Sequence, residues 1–100
     1  MKINRPTLII DEKKARRNIA FMADKAKKYN LIFRPHFKTH QSATIAQWFR
    51  ELGVEQIAVS SLEMAHYFYK HDWDDIHIAF PYNILEHQEL NELAKHIKVR

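Results

Sequence analysis

Strand-like and helix-like stretches alternate along this 100-residue chain, and the starts of the strands recur about every 20–25 residues, the length of a βα unit. Few other features restrict a fold so strongly. Right-handed crossovers between such units set the strands parallel and side by side. Two architectures satisfy the pattern, a doubly wound sheet or part of an eight-stranded (β/α)8 barrel.

The order can be read residue by residue. Residues 7–10 form a short extended run after Pro6, and Asp11 is placed to cap a following helix. In that helix Ile19, Met22, Ala23 and Ala26 recur at i, i+3, i+4 and i+7, which predicts one apolar stripe. Residues 31–37 read as a strand. Ser42 caps a second helix with Ile45, Phe49 and Leu52 on its buried face, and Gly53, the only glycine, stands where a helix C-terminus favours it. Residues 56–59 are the next strand. Ser60 and Glu63 have capping-box spacing before a helix carrying Met64, Ala65 and Phe68. Residues 76–80 are another strand, interrupted by Pro81. A fourth helix carries Leu90, Leu93, Ala94 and Ile97, and a further strand would begin at residues 98–100. Three strands cannot close a barrel. The expectation is therefore about three βα units plus a lead-in strand and helix, with a parallel edge beside residues 76–80 left unpaired, a sign of missing residues.

Composition excludes several classes. There is no cysteine, so disulfides and thiolate metal sites drop out and a cytoplasmic setting is the default. The N-terminus turns charged after a very short apolar stretch and does not resemble a signal peptide. No apolar run is long enough to span a bilayer. The net charge of +4 raises the question of nucleic acid. Its densest groups, Lys13, Lys14, Arg16 and Arg17 and then Lys25, Lys27 and Lys28, lie on one amphipathic helix, as a solvated face would. Trp48, Tyr67, Tyr69 and Trp73 read as packing or interface residues rather than a base-stacking platform.

The densest chemistry is the stretch RPHFKTH, residues 34–40. Alternation along a strand sets Leu31, Phe33, Pro35 and Phe37 on one side and Ile32, Arg34, His36, Lys38 and His40 on the other. The apolar side suits a helix layer, and the cationic side faces solvent or a barrel interior. A lysine at the C-terminal end of a barrel strand is where the active sites of such barrels gather. Neighbouring positive charge disfavours an ammonium, which makes an amine a better nucleophile towards a carbonyl, and the same cluster attracts phosphate. His36 and His40 have the i, i+4 spacing of a helical metal site, but Pro35 and the β-rich flank argue against a helix there. His66 and His71 lie on or just after the third helix without an acidic partner at a metal spacing, and His87 and His96 belong to a mostly solvated helix. Tyr82 and Asn83 follow a strand directly. They fit either the mouth of a site or a turn built by Pro81 and Asn83.

RPHFKTH resembles the RPHxKTH motif of the D-threonine aldolase and D-serine dehydratase family, fold-type III pyridoxal-phosphate enzymes with an alanine racemase-like N-terminal barrel. PTLIID followed by ARRNI is similar to that family's opening, and SSLEMA and DDIHIA are similar to later segments in the same order. The resemblance implies that Lys38 forms a Schiff base with pyridoxal 5'-phosphate and moves the substrate Cα proton. It also implies that Arg34, His36, Thr39 and His40 help bind the cofactor. For Arg34 a structural ion pair with a carboxylate elsewhere in the barrel is an equal alternative. Gln41 stands where many relatives have a second lysine, and His71 where a glycine is usual. On this reading residues 1–100 are the N-terminal portion of a PLP-binding TIM barrel, without the remaining strands and the C-terminal β-domain. The parent is expected to be a homodimeric lyase or racemase acting on a D-amino acid, and the stretch alone inactive. A divalent metal belongs, if anywhere, to the absent part. The alternatives are a non-catalytic PLP-binding protein of the same fold or a basic interaction module.

Overall fold

The computed structural model describes residues 2–100. Among these residues four helices, α1 (Glu12–Lys28), α2 (Ala43–Arg50), α3 (Leu62–Tyr69) and α4 (His87–Ala94), and three strands, β1 (Ile57–Val59), β2 (Asp75–Ile78) and β3 (Lys98–Val99), follow the order α1-α2-β1-α3-β2-α4-β3, alternating from α2 onward. The strands form one parallel sheet in the order β1-β2-β3, with Ile57 opposite Ile76 and Ile76 opposite Val99. The alternating α/β architecture expected from the repeat is therefore present. One expectation is corrected: the edge beside β2 is not bare, because residues 98 and 99 already pair with it.

Helices α1, α2 and α3 each start where a short polar side chain meets the free N–H groups, whereas α4 has no side-chain cap. Asp11 Oδ1 accepts from the Lys14 N–H at 3.0 Å, and Ser42 Oγ from the Ile45 N–H at 3.3 Å. At α3 the cap is Ser61 rather than Ser60, since Ser61 Oγ accepts from the Met64 N–H at 3.0 Å. Ser60 still belongs to the end of the β1 path, so the capping box with Glu63 does not form.

Three helices also stop in the same way. After α1, α2 and α3 a residue takes a left-handed backbone: Asn30 at φ 54°, Gly53 at 83° and Asp72 at 69°. The next N–H then reaches back five residues, Leu31 to Ala26, Val54 to Phe49 and Trp73 to Phe68, which is a Schellman closure. The turn at His71, where a glycine is usual, is thus closed one residue later by Asp72.

The core lies on the helix side of the sheet. Phe37, Ile57, Val59, Phe68 and Ile76 are fully buried there, with Ala46, Ala65, Trp73 and Leu93. Phe37 is the meeting point, its ring centroid 4.9–5.1 Å from those of Phe49, Phe68 and Trp73. Arg50 stacks over Trp73 at 4.3 Å. Phe37, Phe49, Phe68 and Trp73 thus serve packing.

Helix α1 is held more loosely. Ile19 and Ala23 are buried, but Met22 of the expected stripe is exposed. Arg16 ties α1 to α2, lying over Trp48 and bonding Glu51. The remaining cations of α1 are exposed, as a solvated face requires.

Two strand expectations are also corrected. Residues 7–10 pair with no strand, and Leu8, Ile9 and Ile10 are exposed. Residues 31–35 carry no ladder either; the segment meets β1 only at a parallel bridge, His36 opposite Ala58. Pro35 supplies the reason, because it has no N–H to donate.

Candidate active site

The bridge at His36 sets which side chains share the face opposite the core. Partners in a parallel ladder point the same way, so His36, Ala58, His77 and Arg100 form one row. Arg34, Asp75 and Lys98 lie one step nearer the strand starts. This face is mostly polar, with Arg34, Lys98 and Arg100 set near the carboxylate of Asp75, whereas the opposite face is the apolar core.

The alternation expected for residues 31–40 holds as far as the bridge. Pro35 is buried, Phe33 packs against the core, and Arg34 and His36 point the other way. Leu31 and Ile32 are both exposed. Beyond His36 the backbone tightens into a 3-10 helix, Phe37–Thr39. His36 caps it, Nδ1 accepting from the Lys38 N–H at 3.2 Å. The Thr39 hydroxyl donates to the His36 carbonyl at 3.3 Å, and Gln41 Nε2 to the Lys38 carbonyl at 3.4 Å. Lys38 is therefore held by its backbone on both sides while its side chain is exposed at the C-terminal end of the sheet. Partial burial, then the charges of Lys38 and His77, lower the His36 pKa and favour the neutral ring.

His40 turns the other way. Its ring lies 4.6 Å from Phe37 and stacks on Phe49 at 5.8 Å, on the core side. Burial holds its pKa below the ordinary histidine value. Nδ1 accepts from the Ser42 N–H at 3.0 Å, so a neutral ring carries its hydrogen on Nε2. That nitrogen is buried and has no hydrogen-bond partner. Strand parity misses this placement because the 3-10 helix shifts the period after His36. The two motif histidines thus serve different faces and do not share a metal; among the described residues no three His, Asp or Glu side chains come together as a metal site.

Arg34 realises the ion-pair alternative. Its guanidinium donates to the Ile57 carbonyl at 2.9 Å, the Asp75 carbonyl at 3.3 Å and Asp75 Oδ1 at 2.8 Å. Sequence reading did not single out Asp75; the available signal was an acid at the start of a strand, two segments away from the cation-rich stretch. Tyr82 and Asn83 lie in a turn beside a groove. With Ser60, Ser61 and Phe80 they line that groove, of about 600 Å³, while Asn83 Oδ1 accepts from the Leu85 N–H at 3.1 Å and closes the turn. No helix among the described residues is long and apolar enough to cross a membrane.

No family model matches the chain. It is 33% identical over 76 residues to D-threo-3-hydroxyaspartate dehydratase of Delftia sp. (strain HT23), a match covering 76% of this chain and 20% of that protein. The solved structure of the same dehydratase superposes with a TM-score of 0.87 at 29% identity, over 93% of this chain and 24% of that one. D-threonine aldolase from Filomicrobium marinum gives 0.88 at 27% identity, over 96% and 26%. The chain thus spans about a fifth to a quarter of the length of these relatives. The class these matches define is a stretch of an alanine racemase-like α/β domain. Within that class, both comparisons support the D-threonine aldolase/D-serine dehydratase-like family for this chain.

Proposed function

We propose that this chain carries the covalent lysine of a pyridoxal 5'-phosphate enzyme acting on a D-amino acid, by dehydration, aldol cleavage or racemisation. The observation that carries the reading is the position of Lys38, an exposed amine on a 3-10 helix at the C-terminal end of a parallel sheet, beside a cation-rich face. The relatives' names support the general chemistry, a dehydratase and an aldolase of D-configured substrates.

The residues present fit the cofactor's aldehyde: Lys38 offers an exposed primary amine, and His36 lies on the same side. When bound, the cofactor supplies an electron sink for bonds broken at the substrate Cα. Lys38 Nζ anchors it and then holds or returns the Cα proton on one face of the substrate. His36, neutral and bonded through Nδ1 to the Lys38 N–H, offers Nε2–H as a donor on the same side. Thr39 closes the backbone turn that aims Lys38. Arg34 and His40 support the segment from the sheet and from the core respectively.

The same reading makes residues 1–100 the N-terminal portion of a TIM barrel in a longer, cytoplasmic, homodimeric parent, inactive in isolation. One solved form of the dehydratase is described as metal-free, so a divalent metal is proposed for the parent, held outside these residues.

The test uses the full-length protein with added pyridoxal phosphate. A visible absorbance band should appear and vanish in Lys38→Ala, and D-threonine, D-serine or D-threo-3-hydroxyaspartate should be turned over. A band without turnover of any D-amino acid makes the protein a non-catalytic carrier. Neither band nor turnover sinks the reading.

A further inference from the structure

The segment that carries Lys38 is attached to the sheet in an unusual way. A strand is ordinarily held in register by its ladder. Here Pro35 removes one donor, and the backbone contact is the bridge at His36, with the Ala58 N–H donating to the Pro35 carbonyl at 2.9 Å. A segment so thinly laddered is free to shift along its neighbour.

A side chain supplies what the ladder lacks. Arg34 reaches over β1 to bond the Ile57 carbonyl and lands on β2, on both the carbonyl and the carboxylate of Asp75. One planar fork thereby joins three successive chain segments, a geometry a lysine ammonium cannot reproduce. Asp75 is itself immobilised. It is 7% exposed and accepts a second bond, from Arg100 Nε, at 3.2 Å. Burial pushes its carboxyl up, but the hydrogen bonds from Arg34 and Arg100 outweigh burial and keep it ionised.

We infer that Asp75, acting through Arg34, is a positioning residue for Lys38: the pair fixes the register of residues 34–38 against β1 and β2, and so fixes where the Lys38 amine stands. The inference rests on the reading of Lys38 as the cofactor's anchor. Asp75 opens β2, at the end of the sheet away from Lys38, so it touches no reacting atom. Its influence passes through Arg34 and the three residues between Arg34 and Lys38.

The test compares Asp75→Asn, Arg34→Lys and, as a control, Arg100→Gln in the full-length protein, with two readouts. The first is amide hydrogen exchange. In Asp75→Asn and Arg34→Lys the Ala58 N–H should exchange at least about ten-fold faster, while the Ala79 N–H, which bonds Val59 across β1 and β2, keeps its rate; Arg100→Gln should leave both near wild type. The second is labelling with pyridoxal phosphate, trapped by borohydride and mapped by peptide. Wild type should carry the label on Lys38, and in the first two variants Lys38 should lose at least about five-fold of its share to other lysines. An unlabelled Lys38 in wild type defeats the anchor reading, and the exchange arm still decides whether the pair holds the segment. Unchanged Ala58 exchange in both variants, equal acceleration of Ala58 and Ala79, or a label that stays on Lys38 overturns the inference. Arg34→Lys keeps the charge, so it serves if Asp75→Asn does not fold.

Discussion

Asp72 holds a left-handed backbone at φ 69°, a conformation that costs an L-residue about 1–2 kcal/mol and glycine almost nothing. Asp72→Gly is expected to stabilise the chain by about 0.5–1 kcal/mol after the added freedom of the unfolded state is counted. Gly53→Ala, at φ 83° with open space where a Cβ would go, should destabilise it by about 1 kcal/mol through backbone strain alone. Urea denaturation of both variants checks the pair, and equal effects would refute the assignment. His40 makes a second prediction at this scale. Its folded pKa is lowered, chiefly by burial, so the unfolded chain binds the proton more readily. The ring's contribution is complete above about pH 6.5 and is lost as pH falls towards the folded value. His40→Asn keeps an acceptor for the Ser42 N–H and does not titrate. Its melting temperature should fall less than that of wild type between about pH 7 and 5, and parallel curves would exclude His40 as a source of the slope. Gly53 was legible in the sequence because glycine advertises a left-handed turn. Asp72 and Asn30 were not, since a short polar residue reads equally well as a cap or an ordinary turn.

Whole elements were legible where one signal outweighed the rest. Helices α1, α2 and α3 follow from their caps and apolar faces, α4 from its apolar face alone, and β1 and β2 from short runs that are apolar on the core side. Errors fall where two signals compete. Before α3 stand two serines, and only the second reaches a helix N–H. Ser61→Ala should therefore cost about 1 kcal/mol and Ser60→Ala little, as read from thermal or urea midpoints; the reverse order would reinstate the capping box at Ser60. The stretch around Pro35 is the second case. Its alternation predicts a strand, and one missing donor reduces that strand to a bridge. Side-chain direction survives the loss, because it depends on extended backbone rather than on a ladder. This is why Arg34 and His36 fall on the expected face. Once the backbone enters the 3-10 helix the period changes, and the prediction for His40 fails with it.

At the scale of the molecule, the sheet separates two kinds of chemistry. One face is an aromatic and aliphatic core. The other holds two histidines, Arg34, Lys98 and Arg100 around the buried carboxylate of Asp75. RPHFKTH crosses from one to the other within a few residues, so its hybrid composition follows from the layers it joins. The parallel order of the strands followed from βα spacing, and the lysine stood out through its motif. The Arg34–Asp75 pair spans 41 positions, and no local pattern reports a contact of that range. Two adjacent substitutions separate the layers. Phe37 is fully buried among Phe49, Phe68 and Trp73, so Phe37→Ala should cost about 3–5 kcal/mol, a large share of the 5–15 kcal/mol typical of a domain. Lys38 is exposed with its backbone bonded on both sides, so Lys38→Ala should move the unfolding midpoint by less than about 0.5 kcal/mol. The same variant should abolish binding of pyridoxal phosphate to the full-length protein. Denaturation midpoints set beside cofactor absorbance test both halves together: if Lys38→Ala unfolded as readily as Phe37→Ala, its loss of absorbance would report a damaged fold rather than a missing amine.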